Sequence, residues 1–497
     1  RRQRQMCIRD SSSPIAQPGP TGKEVVFERL ARAFASERMA LLVLALAIAV
    51  VLLAPLGPLV ANRFHRDEAV YSSWGLDIAS GRDLLVSGSP VDKPPLFLYT
   101  QALSFLLFGP TEVAARLPSL IASVISVALI YLLGRSLYGR GAGLLAAFLL
   151  AASPFVILFA PTAFTDPLMV MWVLASCLAT VRGHWVWGGI FLGLAAITKQ
   201  QGVFFVPLAV GLGLLANIKW QIPNGKSANH GSQITDHGSR ITDLKSANGK
   251  AAGLRSKIVG FVVAFLVVFC LAILWDVARA RQPGFLAQSL VSYGGLALSP
   301  GAIWERLLGF VGLLRYGTGS PVLNGVLLIG VPLLLVVDFL LLLDRSEGAG
   351  RWGTRSQALA DLILTGFVVL FLVGHSLIAF AVWDRYLLGL IPLLALLLAR
   401  VLTLPQRLLK DSPLSVLLSL LFVLWMLAFT FRPLQDAAAS RFPIGGDHGA
   451  YQGIGQVVSY FQTVPSDTTL YHRWLGWHWR FYLWGNGYDL PAWTSPT

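Results

Sequence analysis

Long apolar runs separated by short polar stretches make up most of this 497-residue chain. A helix rising 1.5 Å per residue needs roughly 17–25 apolar residues to cross a bilayer. Runs that meet or approach this length lie near 39–61, 116–135, 141–161, 166–181, 185–199, 202–218, 257–278, 321–343, 359–382, 386–404 and 413–431, which predicts eleven spans. Pro207, Pro332 and Pro392 interrupt some of them and the pair over 185–218 is the weakest, so the count carries a margin of one or two. The segment Pro95–Phe108 is apolar but only about 14 residues long, and is expected to lie in or dip into the interface.

Composition agrees with this pattern. With 55% hydrophobic and 13% charged residues, and a mean hydropathy of +0.65, the chain reads as an all-α polytopic membrane protein and not as a soluble multidomain one. Cys7, Cys177 and Cys270 form neither a disulfide framework nor a metal-ligand spacing. The net charge of +14 resembles a nucleic-acid signal until the basic residues are placed on the spans. With the N-terminus inside, Arg1–Arg38, Arg135, Arg140, Arg182, Lys219–Lys257, Arg345–Arg355 and Arg400–Lys410 fall on the cytoplasmic side and hold 24 of the 39 Lys and Arg. The basic balance is then an orientation signal, and no nucleic-acid partner is needed. If Pro95–Phe108 crossed, every later segment would invert and this bias would be lost.

The organisation follows. Residues 1–38 form a basic tail, expected to be disordered and cytoplasmic, with Met6 or a later residue as the expected start. Residues 39–431 form the membrane domain. Within it, 219–257 is rich in Gly, Ser and Asn and carries a near-duplicate, HGSQITD at His230 and HGSRITD at His237, which reads as a cytoplasmic linker insertion. A metal site at His230 and His237 is the sharper but less favoured reading. The outer face receives 62–115, a turn before Asp166, 279–320 and the C-terminal segment 432–497.

Odd polar residues concentrate on that outer face. Asp67 and Glu68 follow the first span; each can act as a general base or bind a divalent cation, or simply cap a helix starting near Ala69. Lys93 precedes Pro94-Pro95, and its ammonium suits a lipid phosphate or, blandly, snorkels to the interface. Asp166, followed by Pro167, reads as either a functional carboxylate or a helix cap. Lys199 and Arg385 stand at outer ends of spans, where Asp384 can balance Arg385. Each has a cheap explanation alone; Lys93, Arg116, Lys199, Arg385, Asp67 and Asp166 on one face are an unusual collection.

Asp67-Glu68 with Tyr71, then Lys93-Pro94-Pro95-Leu96, Phe108-Gly109, Glu112 and Ala115-Arg116-Leu117-Pro118-Ser119 resemble the first outer loop of the dolichyl-phosphate-mannose-protein mannosyltransferase superfamily. The resemblance is nearest to bacterial members related to the aminoarabinose transferases that modify lipid A. Thr165-Asp166-Pro167, the run Gly193–Lys199, and Arg385-Tyr386 continue it in order, so that it reaches from about 62 to 392. Two departures stand out: Gln200 where the family commonly has Gly after its Lys, and no lumenal β-trefoil insert, which argues against a eukaryotic protein mannosyltransferase.

The resemblance implies a GT-C fold in a bacterial or archaeal plasma membrane, with juxtamembrane helices and the active site outside. It implies an inverting glycosyltransferase that takes a sugar from a polyprenyl-phosphate donor and passes it to a lipid, protein or glycan acceptor. Asp67 is then the expected base, and Glu68 and Asp166 orient the acceptor or the base. If a divalent metal is used, Asp67 and Asp166 would hold it. Lys93 and Arg385 are the first choices for the donor phosphate, then Arg116 and Lys199, with Tyr71 and Tyr386 as hydrogen-bond donors. The helix Pro95–Phe108 would line a groove for the lipid tail.

The stretch Leu470–Tyr488 is dense in Trp and Tyr and reads as an interfacial aromatic belt or as sugar-stacking faces, and the chain's end suggests truncation. Two other classes stay open: another lipid-linked glycan enzyme of the O-antigen ligase or polymerase type, and a polytopic transporter. A transporter predicts internal repeats and mid-membrane charges, and no repeat between halves is visible.

Overall fold

The computed structural model describes residues 37–487, apart from 222–235, 293–297, 344–348, 379–380, 409–412 and positions 282, 447, 466, 473 and 486. The basic tail up to residue 36, with Cys7, and the first copy of the repeated heptad therefore lie outside the described residues. The apolar runs are helices. Helices α1 (Glu37–Leu53) and α2 (Leu56–Ala61) form the first crossing, and α3 (Arg66–Ala79) and α4 (Leu96–Phe108) follow in the loop after it. Helix α5 (Glu112–Tyr138) returns, and α6 (Arg140–Ala151), α7 (Pro154–Phe159), α8 (Asp166–Val181) and α9 (Trp185–Thr198) come next.

Among the described residues, seven helical stretches are long and apolar enough to cross a membrane: Glu37–Ala61, Glu112–Tyr138, Gln200–Asn217, Ala252–Ala278, Pro321–Leu343, Arg355–Leu377 and Asp384–Leu404. The chain is a multi-pass membrane protein. The figure of eleven is not reached on length: α6, α8 and α9 are apolar but run only 12, 16 and 14 residues. The expected crossing 141–161 is two helices because Pro154, which has no N–H to donate, restarts the chain at α7. Pro95–Phe108 is the 13-residue α4, too short to span as expected.

Helices α10 (Val206–Gln221) and α11 (Asp236–Ala278) flank the low-complexity segment. Residues 236–257, expected as linker, are helix, the first half of the 43-residue α11. Lys245, Ala247, Lys250, Ala251 and Leu254 are good helix formers, and they outweigh the scattered Gly and Asn.

Close approach of backbones fixes the ends of α9. A Cβ on Gly189 would stand 2.1 Å from the Phe261 carbonyl, and one on Gly193 2.7 Å from the Val268 side chain, so only glycine lets α9 lie directly on α11. Gly183, at φ +84°, turns the chain from α8 back into α9. These two antiparallel helices thereby bring Asp166, at the start of one, beside Lys199, just past the end of the other.

Helices α12 (Phe285–Ser292), α13 (Ile303–Leu314), α14 (Pro321–Leu343), α15 (Ala349–Leu377), α16 (Ile391–Leu408) and α17 (Pro413–Ala438) complete the membrane domain. Arg400 of α16, which its position suggested was a cytoplasmic loop charge, is buried and donates three hydrogen bonds of 2.8–3.1 Å to Asp361 of α15. Beyond α17 the chain passes through α18 (Ile454–Phe461) to α19 (Gly476–Tyr482), which packs on α3.

Candidate active site

Helix α3 begins with a capping box. His65 Nδ1 accepts from the Asp67 N–H at 3.1 Å, and the Glu68 carboxylate accepts from the His65 N–H at 2.8 Å. The cap is thus His65, and the acidic pair occupies the first turn, where the helix dipole favours it. Because neighbouring residues on a helix point about 100° apart, Asp67 and Glu68 meet different surroundings.

Glu68 turns into the protein. Its two oxygens accept from Arg116 Nε at 3.0 Å, Arg116 Nη2 at 3.2 Å and the Ala163 N–H at 2.7 Å, in addition to His65. Arg116 spends its remaining Nη1 on the Leu59 and Asn62 carbonyls at the end of α2. The pair is nearly solvent-free and stitches α2, α3, α5 and the turn before Asp166 together. Glu68, expected to orient the acceptor or the base, and Arg116, expected to hold phosphate, together fix the framework around Asp67.

Asp67 keeps 29% of its side chain exposed and pairs with Arg385, 318 positions away. Lys93 is buried, donates to Asp92 at 2.7 Å, and has its ammonium 5.7 Å from the Tyr71 ring centre. Lys199 donates to Asp166 at 2.5 Å and sits 4.9 Å from the centre of the Tyr386 ring. Lys93 and Lys199 both lie within electrostatic reach of Arg385. Asp67, Lys93, Asp166, Lys199, Arg385, Tyr71 and Tyr386 therefore form one cluster, with Glu68 and Arg116 behind it.

Asp166 is not a cap: α8 starts at Asp166 with Thr165 in the cap position and no side-chain cap bond, and the carboxylate faces Lys199. Asp384, expected to balance Arg385, lies within charge range of its guanidinium and also holds its backbone. It accepts from the Arg385 and Gly445 N–H groups, which fixes the backbone that carries the guanidinium toward Asp67.

Burial raises the Asp67 pKa, but the Arg385 guanidinium, by charge and hydrogen bond, outweighs it and holds the carboxyl below its ordinary value. Asp67 is therefore ionised at neutral pH. Lys93 is lowered from the ordinary lysine value, because burial outweighs the help from Asp92. A divalent cation fits poorly: Asp67 and Asp166 are each already faced by a cation, and no three His, Cys, Asp or Glu come together among the described residues.

Several contributors carried no local sequence signal. Gln200, the departure noted after Lys199, donates to the Asp92 carbonyl at 2.8 Å and to Ser289 at 2.6 Å, so it fixes the Lys93 loop. Gln201 donates to the Tyr386 carbonyl at 3.1 Å. The buried Arg279 holds the same loop through the Val86 and Ser89 carbonyls.

The aromatic C-terminal stretch packs as core. Phe481 meets Phe64 at 4.8 Å between ring centres, Arg480 donates to Asp77 at 2.7 Å, His478 Nε2 lies 3.1 Å from the Phe64 carbonyl, and Tyr482 bonds to Glu112. Among the described residues of the stretch Trp474 and Tyr471 expose large faces, while His478, Trp479 and Phe481 are buried, so the belt and sugar-stacking readings do not describe those three.

The arrangement has counterparts. ArnT of Cupriavidus metallidurans, solved bound to undecaprenyl phosphate, superposes with a TM-score of 0.57 over 92% of this chain and 86% of its own, at 16% identity. The Archaeoglobus fulgidus oligosaccharyltransferase tethered to an acceptor peptide gives 0.53, over 92% and 64%, at 13% identity. This is the GT-C fold. Within it, residues 92–228 match the family model of the dolichyl-phosphate-mannose-protein mannosyltransferases. YkcB of Bacillus subtilis (strain 168), whose name assigns it provisionally to the mannosyltransferases, is 31% identical over 123 residues, 23% of this chain and 17% of its own. An undecaprenyl phosphate-alpha-4-amino-4-deoxy-L-arabinose arabinosyl transferase of Proteus mirabilis (strain HI4320) is 28% identical over 151 residues, 26% and 27% of the two chains. The chain thus matches about a sixth to a quarter of the length of these curated relatives.

Proposed function

We propose that this GT-C protein transfers a sugar from a polyprenyl-phosphate carrier to an acceptor hydroxyl, with inversion. The observation that carries the reading is the meeting of one accessible carboxylate, Asp67, with Arg385, Lys93 and Lys199 at one end of the bundle. A sugar leaving with a phosphate needs fixed positive charge to receive the departing electron pair, and the attacking hydroxyl needs a base. Arg385 and Lys93 take the phosphate oxygens, with Lys199 behind them and the Tyr71 and Tyr386 hydroxyls within the same cluster. Asp67, released from Arg385 as the phosphate engages the guanidinium, takes the acceptor proton. The acceptor oxygen then bonds to the anomeric carbon, the carbon–oxygen bond to phosphate breaks, and its electrons remain on the phosphate. Helix α4, with Leu103, Leu106, Leu107 and Phe108 exposed beside the site, offers apolar surface for the lipid tail.

The bundle ends differ in a way that supports placing the cluster outside and the N-terminus inside. Arg135, Arg140 and Arg182 lie at the opposite ends of α5, α6 and α8 from Glu112, Ala151 and Asp166. The test supplies membranes containing the protein with radiolabelled polyprenyl-phosphate sugars: label is expected in an acceptor, and Asp67→Asn is expected to abolish it while folded protein persists. Transfer that survives Asp67→Asn removes Asp67 as the base.

A further inference from the structure

At the far end of the bundle from Asp67, α8 ends, α9 begins, and α10 and α11 pass close by. A cavity of about 260 Å³ opens there, lined by Arg182, Trp185, Asn217 and Lys257, with no carboxylate among its lining residues. A second of about 190 Å³ adjoins it and shares Arg182 and Ala216. Asp166 and Val181 close opposite ends of α8, 15 steps apart, which at 1.5 Å per residue puts this cavity about 22 Å from the Asp166–Lys199 pair.

The packing places the charges. Lys257 stands one turn before Phe261, whose carbonyl is the contact that requires glycine at Gly189, so the α9–α11 approach carries the lysine to the cavity mouth. There its ammonium donates to Asn217 Oδ1 at 2.8 Å, which orients it and leaves two protons for another acceptor. Helix α9 starts beside Arg182 with no side-chain cap, so its first N–H groups face this end. Two cations and an uncapped 14-residue helix start line a space large enough for a phosphate group.

We propose that this cavity binds the phosphate of an anionic phospholipid headgroup in the leaflet opposite the catalytic cluster. Its position at the end of apolar helices, at headgroup depth, selects a membrane lipid over a soluble phosphate. The site is independent of the transfer chemistry.

Native mass spectrometry of the full chain, released from nanodiscs of phosphatidylcholine with and without phosphatidylglycerol, tests this. The protein is expected to retain one tightly held phosphatidylglycerol. The double variant R182Q/K257Q is expected to lose about thirtyfold in retention, since each basic residue near a headgroup contributes of the order of 1 kcal/mol. R182K/K257R keeps the charges and should keep the lipid. Should R182Q/K257Q fail to fold, Ala216→Leu fills the space with both cations intact and should also lose it. Equal retention by wild type, R182Q/K257Q and Ala216→Leu overturns the proposal. So does displacement of the lipid by millimolar inorganic phosphate, which would mark a site for free phosphate.

Discussion

Two ion pairs at opposite ends of the bundle show what separates a structural charge from a chemical one. Arg400 and Asp361 are at most 2% exposed and share three hydrogen bonds. Asp67 and Arg385 are joined by a direct contact but keep 29% and 12% of their side chains exposed. The first pair has no opening through which a substrate could part it. The second can be parted by any anion that binds arginine better than Asp67 does, and a phosphate qualifies because it offers the same bidentate geometry with more charge. The same contrast holds one residue apart in sequence, where Glu68 is saturated by Arg116, His65 and Ala163 while its neighbour Asp67 faces the site.

This comparison can be broken at either end. The largest expected effect is on Asp67→Asn, which should lower kcat by about 10³ as a lost general base does, with the melting temperature in detergent nearly unchanged. A large loss of folded protein instead would make Asp67–Arg385 a structural pair. Arg400→Leu should do the reverse and cost about 3–5 kcal/mol of stability, because it strands Asp361 without its partner. The combined R400L/D361L variant should recover most of that, read by thermal unfolding, and transfer by the surviving protein should be normal.

A smaller effect tests Lys93. Its charge is present below its pKa and lost as pH rises through it, and burial has moved that pKa below the ordinary 10.5. Activity should therefore fall on the alkaline side at a lower pH than an ordinary lysine would give. Lys93→Arg should move that limb upward, since arginine stays charged. The acid limb of kcat/KM, which reports Asp67 in the free enzyme where Arg385 favours the ionised form, should lie below the ordinary carboxylate value of 3.8. Least affected should be Tyr482→Phe, which removes one bond from Glu112 while the Arg63 bridge at 2.8 Å remains. A loss of about 1 kcal/mol in stability and little change in kcat are expected.

Much of this was legible in the chain. The ordered set from Asp67 to Tyr386 pointed to the cluster, and the short apolar segment before Phe108 is the 13-residue α4. The inward turn of Glu68 onto Arg116 was not legible, because nothing in Asp67-Glu68 tells which carboxylate turns inward; that depends on the rotation of α3 against α5. Arg279 was missed because it acts on backbone carbonyls far along the chain, Gln200 stood out only as a departure without a role, and Asp92, paired with the next residue Lys93, looked like an ordinary interfacial charge. The aromatic C-terminal stretch carried composition without direction, so its burial against α3 could not be told from a belt.

The sequence by itself determined what each segment must do with its backbone. Runs of apolar residues must close their hydrogen bonds internally to lie in lipid, so helices, a multi-pass chain and a basic excess at one end of it follow from local composition. The tertiary structure alone decided which charges meet. Asp67 and Arg385 are 318 positions apart, and their contact depends on where glycines let α9 settle on α11 and where the Glu68–Arg116 pair pins α3. Those are properties of packing, in which a shift of a few ångströms separates a charge that holds the fold from one that can hold a substrate.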